Sequence, residues 1–91
     1  MMSLTEELTM KQANKFQIND VNKDFQKTFY FIEETLLNNS DGIFNLHSSI
    51  DMCQTENLTN YLKRNNKKYE FELNRTGVNY EIMFRKNEVK N

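Results

Sequence analysis

Apolar and polar positions follow two different periods along the chain. From Val21, the residues Phe25, Phe29, Ile32 and Leu36 follow at steps of four, four, three and four. That spacing places all five on one face of a helix. Tyr30, Phe31 and Leu37 widen the apolar stripe. Asn19 or Asp20 can cap the helix start, where a carboxylate also meets the positive end of the helix dipole. The stop is expected within residues 38–42, a run of turn-forming side chains ending in Gly42.

Toward the C-terminus the period changes to two. Tyr69, Phe71 and Leu73 alternate with Lys68, Glu70, Glu72 and Asn74. Past residues 74–77, Val78, Tyr80, Ile82 and Phe84 alternate with Asn79, Glu81, Met83 and Arg85. Two such arms flanking Gly77 predict an antiparallel hairpin, with the glycine in a left-handed position closing the turn. An even loop keeps both apolar rows on one face. A four-residue loop pairs Leu73 with Val78, Phe71 with Tyr80 and Tyr69 with Ile82. A lone hairpin is marginal in water, so its apolar face must rest on the helices or on a third strand.

Shorter signals fill the remainder. Ser3 and Glu6 form a capping box that opens a helix over 4–14. Its apolar face is thin (Leu4, Leu8 and Met10), which suggests a loosely docked arm. Ile43, Phe44, Asn45 and Leu46 read as a short strand. The run Ser48-Ser49-Ile50-Asp51 can cap a brief helix through Met52, and Thr55 a second helix over 55–65. Leu58, Tyr61 and Leu62 form its inner face. Glu56, Asn60 and Lys63 lie outside, flanked by Asn57, Thr59 and Arg64. The expected fold class is α+β, with helices followed by a short strand, a helix and a C-terminal antiparallel β-hairpin. The expected organisation is one domain over 1–91, with a helix or arm at 1–18, a core at 19–86 and a frayed tail at 87–91.

Composition adds limits. The chain is 37% hydrophobic and holds 7 Phe, enough aromatic area for a core in so short a domain. Proline is absent and there are 2 glycines, which argues against flexible linkers and Pro-rich tracts. The single Cys53 cannot staple a fold, and neither a signal-like run nor a membrane span is evident, so a cytoplasmic location is expected. The three Asn-x-Ser/Thr triplets, at Asn38, Asn57 and Asn74, read as chance matches in a chain with 14 Asn. The bias to Asn, Lys, Ile and Phe fits an AT-rich coding genome, such as that of a low-GC bacterium or its phage.

Candidate chemistry is sparse. His47 has neither a nucleophile beside it nor the further ligands a metal needs, and it reads as a structural or surface residue. Cys53 reads as a small buried or half-buried side chain. Glu33 and Glu34 diverge by about 100° on a helix and cannot act as a dyad. Two isolated glycines cannot build a phosphate loop. No enzyme activity, metal or cofactor is expected.

Charge is uneven. Residues 1–54 carry eight acidic against four basic side chains, a net of −4, and residues 55–91 carry eight basic against five acidic, a net of +3. The order helix, strand, short helix, helix, hairpin over residues 20–86 resembles a winged-helix domain, with Leu46, Ile50 and Leu58 at the apolar contacts of its paired helices. The segment 48–52 is short for the first helix of that pair, and the Cys53-Gln54 turn lacks the glycine often found there. The resemblance implies a recognition helix at 55–64 and a wing at 67–86. Asn57 and Asn60 would then pair with adenine, and Lys63 and Arg64 with guanine or phosphate. Thr59 would touch a thymine methyl or a phosphate, Lys67 and Lys68 phosphates, and Arg75 the minor groove or backbone. Glu56 would face the same phosphates and oppose them.

The function this implies is a small DNA-binding regulator of transcription or replication, with a homodimer through the long helix or the weak first one as one arrangement. The alternative is a protein-binding module, such as a phage-encoded inhibitor of a host factor, which the near-neutral total charge fits better. There the thin face of the first helix would be completed by a partner helix. RNA stacking on Tyr69, Phe71, Tyr80 or Phe84 ranks last, because those rings share the face that a core requires.

Overall fold

The structure, a computed structural model, describes residues 3–19, 25–47, 50–77 and 79–87, with Phe25 described by its backbone only. The elements are α1 (Leu4–Lys11), β1 (Lys15–Ile18), α2 (Phe25–Asn38), β2 (Asp41–Leu46), α3 (Met52–Asn65), β3 (Tyr69–Thr76) and β4 (Asn79–Lys86). The strands form one mixed sheet in the order β1-β2-β4-β3. β1 runs parallel to β2, with Phe16 opposite Phe44, and β2 runs antiparallel to β4, with Phe44 opposite Ile82. The class is therefore α+β, with the expected C-terminal hairpin.

Successive strand residues point to opposite sides, so each strand feeds two faces. On the larger face Ile18, Phe44, Leu46, Phe71, Ile82 and Phe84 pack against Ile32 and Leu36 of α2 and Leu58 and Leu62 of α3. Phe44 and Phe84 stack at 4.8 Å between ring centroids, and Phe16 leans on both at 6.1 and 6.2 Å. Phe29 of α2 stacks on Tyr61 of α3 at 4.2 Å and joins the two helices. The opposite face is smaller. There Ile43 and Met83 meet Leu8 of α1, with Leu4 and Ala13 at the edge.

The pattern reading has no strand before residue 43, and β1 supplies one. It also expects α1 to be loosely docked, yet Leu8 is fully buried. One apolar anchor is assisted by polar ones. The backbone and hydroxyl of Thr5 donate to Glu72 at 2.7 and 2.8 Å. Arg85 bridges Glu7 and Glu70, the latter at 2.6 Å, and Lys11 pairs with Asp41. Hydrogen bonding to Glu70, with the charges of Glu70 and Glu7, outweighs desolvation and raises the Arg85 pKa above its ordinary value. A raised pKa stabilises the fold below the unfolded value and loses that contribution only as pH rises past the folded one. The cation of this clamp is therefore constant at any working pH.

Where paired helices are expected at 48–52 and 55–65, the described residues form a single helix, α3, over Met52–Asn65. Asp51 caps α3, accepting from the Gln54 backbone at 2.8 Å while the Gln54 side chain accepts from Asp51 at 3.3 Å. This reciprocal box places the cap four residues before Thr55 and starts the helix at Met52. Thr55 is then interior, its hydroxyl donating to the Asp51 carbonyl at 2.9 Å. The Cys53-Gln54 turn does not exist, and Ser48 and Ser49 lie outside the described residues. With a single helix there and a parallel β1–β2 pair, the winged-helix resemblance is not confirmed.

The hairpin keeps its predicted faces but not its register. The ladder runs on to Thr76 opposite Asn79, with Leu73 opposite Ile82 and Phe71 opposite Phe84. The loop shrinks from the expected four residues to Gly77 and Val78, of which Val78 lies outside the described residues. A two-residue loop suits the twist of the arms and adds ladder bonds, and Gly77 takes its left-handed φ of 59°. Gly42, expected in a turn, is inside β2. A Cβ there would lie 2.7 Å from ring atoms of Phe16 and Phe84. The expected start of the second helix, from Asp20 through the Phe25 side chain, lies outside the described residues, as does the tail beyond residue 87.

Gly42→Ala is expected to lower the unfolding free energy by about 3 kcal/mol, because two packed rings must move. Gly77→Ala should cost only about 1 kcal/mol, the strain of a left-handed residue in open space. Urea unfolding of both variants checks this, and equal losses would contradict the packing role of Gly42.

Candidate functional site

The residues expected to meet DNA divide into four groups. Asn57, Asn60, Lys63 and Arg64 lie exposed on α3. Thr59 does not join them. It is 3% exposed, and its hydroxyl donates to the Thr55 carbonyl at 2.8 Å. Thr55, Leu58, Thr59 and Leu62 share the inward face by their spacing of three and four, so Thr59 cannot reach a base or a phosphate.

Beyond α3 the chain turns at once into β3. The Asn66 backbone donates to the Leu62 carbonyl at 2.9 Å and the Tyr69 backbone to Asn66 at 3.0 Å. Asn87, just past β4, donates from its backbone to Lys68 at 2.7 Å and from its side chain to Lys67 at 3.1 Å. This staple holds the turn at 66–68 and leaves Lys67 and Lys68 exposed. Lys63 borders the same surface as Lys67 and Tyr69. Lys86 is exposed opposite Tyr69 in the ladder. Lys63, Arg64, Lys67, Lys68 and Lys86 therefore gather at one end of the sheet.

Arg75 belongs to the other end. It lies six residues along β3 from Tyr69, about 20 Å at strand rise. Its guanidinium sits 5.9 Å above the Tyr80 ring. The single cationic ridge implied by the winged-helix resemblance is thus split. Lys86 was missing from the expected set because a four-residue hairpin loop places Ile82, not Lys86, opposite Tyr69.

A second surface lies on α2. Tyr30, Phe31 and Leu37, expected to widen the core stripe, are 72%, 41% and 86% exposed. Ile32, Leu36 and the half-buried Phe29, with buried Thr28 and Thr35, suffice for the inner face. Tyr30 and Leu37 are seven residues apart, two helical turns, and share the outer face with exposed Glu33 and Glu34 between them. Leu37 continues into a cleft between the ends of α2 and α3, lined also by Glu33, Lys67, Lys68 and Tyr69. The Tyr69 hydroxyl donates to the Leu36 carbonyl across its floor.

Other candidate chemistry is thin. Cys53, expected buried or half-buried, is exposed at the first turn of α3, and His47 is exposed after β2. Among the described residues no group of three or more His, Cys, Asp or Glu side chains could hold a metal ion. Phe71 and Phe84 are core residues, and Tyr69 and Tyr80 are half-buried against that core, so the rings do not form an open stacking platform. No helix of the described residues is long and apolar enough to cross a membrane. Comparison of the chain with protein-family models, with curated proteins and with solved structures finds no match.

The placement of α3 predicts opposite outcomes for neighbouring substitutions. Thr59→Arg buries an unpaired charge and should lower stability by more than about 2 kcal/mol. Asn60→Arg should change it by no more than about 0.5 kcal/mol. Thermal unfolding followed by circular dichroism distinguishes them.

Proposed function

We propose that the chain is a small protein-binding module whose docking surface is the outer face of α2. The observation that carries this reading is the pair of exposed apolar side chains, Tyr30 and Leu37, on either side of Glu33 and Glu34. On a helix that has already buried one face in its own core, exposed Tyr30, Phe31 and Leu37 with charged neighbours are the kind of apolar surface that marks an interaction site. Spaced by two turns, Tyr30 and Leu37 match the anchors that a facing helix would cover, and Phe31 adds a third at the edge. The two carboxylates between them suit a partner helix with an apolar seam and lysine or arginine at its flanks. The near-neutral charge of −1 suits a protein partner. A small inhibitor of a larger protein, one that occupies a helix-binding face, is the kind of use this surface fits.

The DNA regulator is the weaker reading on this geometry. It needs paired helices, an outward Thr59 and an Arg75 beside the basic end of α3. Where that pair was expected the structure has the one helix α3, with a buried Thr59, and Arg75 lies at the far end of the sheet.

Affinity capture from nuclease-treated lysate of the native source, followed by binding measurements on the recovered protein, tests the proposal. Tyr30→Ala/Leu37→Ala should leave the unfolding midpoint nearly unchanged, because both side chains are exposed. It should weaken the recovered complex by at least about thirtyfold, the expected loss of two anchors. Glu33→Lys/Glu34→Lys should slow association and reduce its salt dependence. A complex indifferent to both double variants overturns the reading. A dimer in sedimentation that the first double variant dissolves would make a second copy the occupant.

A further inference from the structure

We infer that the end of the sheet carrying Lys63, Arg64, Lys67, Lys68 and Lys86 binds the phosphate backbone of a nucleic acid without reading its bases. The inference concerns a different surface from the outer face of α2 and does not rest on it.

Three features carry it. The first is how the chain disposes of its cations. Lys11, Lys15 and Arg85 are each held by a carboxylate, and Arg75 lies over Tyr80. None of the five at this end is paired with a described residue, and all five are exposed. The neighbouring carboxylates are largely engaged elsewhere. Glu70 is taken by Arg85 and Glu72 by Thr5, leaving Glu33 to face Lys67 and Lys68 across the cleft.

The second feature is rigidity. The five side chains come from the last turns of α3, the turn at 66–68 and the end of β4, and Asn87 ties these together with two hydrogen bonds. The backbone that carries the charges therefore keeps one arrangement before any ligand arrives, and no backbone ordering is needed on binding.

The third feature decides between backbone and base recognition. Base reading needs amide side chains free to make paired hydrogen bonds. Here the amide donors are engaged by backbone carbonyls. Asn65 donates to the Tyr61 carbonyl at 2.9 Å, Asn66 to Leu62 at 3.3 Å and Asn87 to Lys67 at 3.1 Å. What this end offers outward is charge on long stems, which positions a backbone but carries no sequence information. Among polyanions, a nucleic acid duplex carries one charge per about 1.7 Å with condensed counterions to release. An extended acidic peptide reaches at most one per about 3.3 Å.

Fluorescence anisotropy on two unrelated labelled DNA duplexes, titrated at several salt concentrations, tests this. The expected result is similar affinity for both and a log–log salt slope of about −3 to −4. Lys67→Glu/Lys68→Glu and, independently, Lys63→Glu/Lys86→Glu should each lower affinity at least tenfold and flatten the slope, with thermal midpoints unchanged. Arg75→Glu should do neither. Tyr30→Ala/Leu37→Ala should bind DNA like the parent chain, which separates this result from the fate of the α2 surface. No binding at low salt, a marked preference for one sequence, or equal sensitivity to Arg75→Glu overturns the inference. Displacement by polyglutamate as efficient as by unlabelled DNA also overturns it, in favour of an acidic protein segment.

Discussion

Strands that run in the same direction cannot be joined by a turn. β1 and β2 are such a pair, so the chain between Ile18 and Asp41 has to cross the sheet, and α2 lies on that crossing. The remaining layout follows. α2 takes the face of Phe44 and Phe84 and shares it with α3, which leads into β3. α1, which enters β1 from the other side, is left with the face of Ile43 and Met83. The sheet is covered on both faces by helices that are themselves covered on one side only. The apolar groups left over on α2, Tyr30 and Leu37, have no further layer to enter.

Four residues are a short strand, and the parallel pair persists because its inward side chains are well placed. Phe16 reaches over Gly42 to touch Phe44 and Phe84, and Ile18 is buried at 4% exposure. Burying one such side chain contributes about 1.5–3 kcal/mol. In a chain of 91 residues, whose total margin is thin, that is a large share. Gly42 makes this possible by having no side chain on the face where the rings meet. Its value is space rather than a permissive backbone, whereas Gly77 works through its left-handed φ.

The sequence made the faces legible and left the pairings open. Alternation in 69–74 and 79–85 identified the hairpin and its buried row, because a period of two is a local property. It could not choose between loops of two and four residues, since both keep Phe71, Leu73, Ile82 and Phe84 on one side. That ambiguity moved Lys86 away from Tyr69 and hid part of the basic end. β1 alternates as well, but over Lys15 to Ile18 alone, and its partner lies beyond a whole helix. Asp51 and Thr55 both have the side chains of a cap, and only the reciprocal bonds of Asp51 with Gln54 decide between them; a cap at Thr55 divides α3 and yields the winged-helix order. Tyr30 and Leu37 looked like core because apolar residues usually are. Only the sheet shows that Phe29, Ile32 and Leu36 already fill the available face.

Formal charge is a poor guide to what this surface can attract, because folding consumes part of it. The split of −4 and +3 between the two stretches of sequence suggests an acidic half and a basic half. The fold does not keep to that division. Glu7 meets Arg85, Asp41 meets Lys11 and Glu81 meets Lys15, so the middle of the α1-covered face is nearly neutralised from within. What survives lies elsewhere. Glu33 and Glu34 remain on α2, and the unpaired cations remain at the end of the sheet where α3 turns into β3. These remnants meet along the cleft of Leu37, Lys67 and Lys68. Exposed charges that close together attract through water only weakly and are screened further by salt. A polyanion at one and a basic helix at the other would each satisfy its own patch, and neither ligand would have to break an ion pair that holds α1 in place.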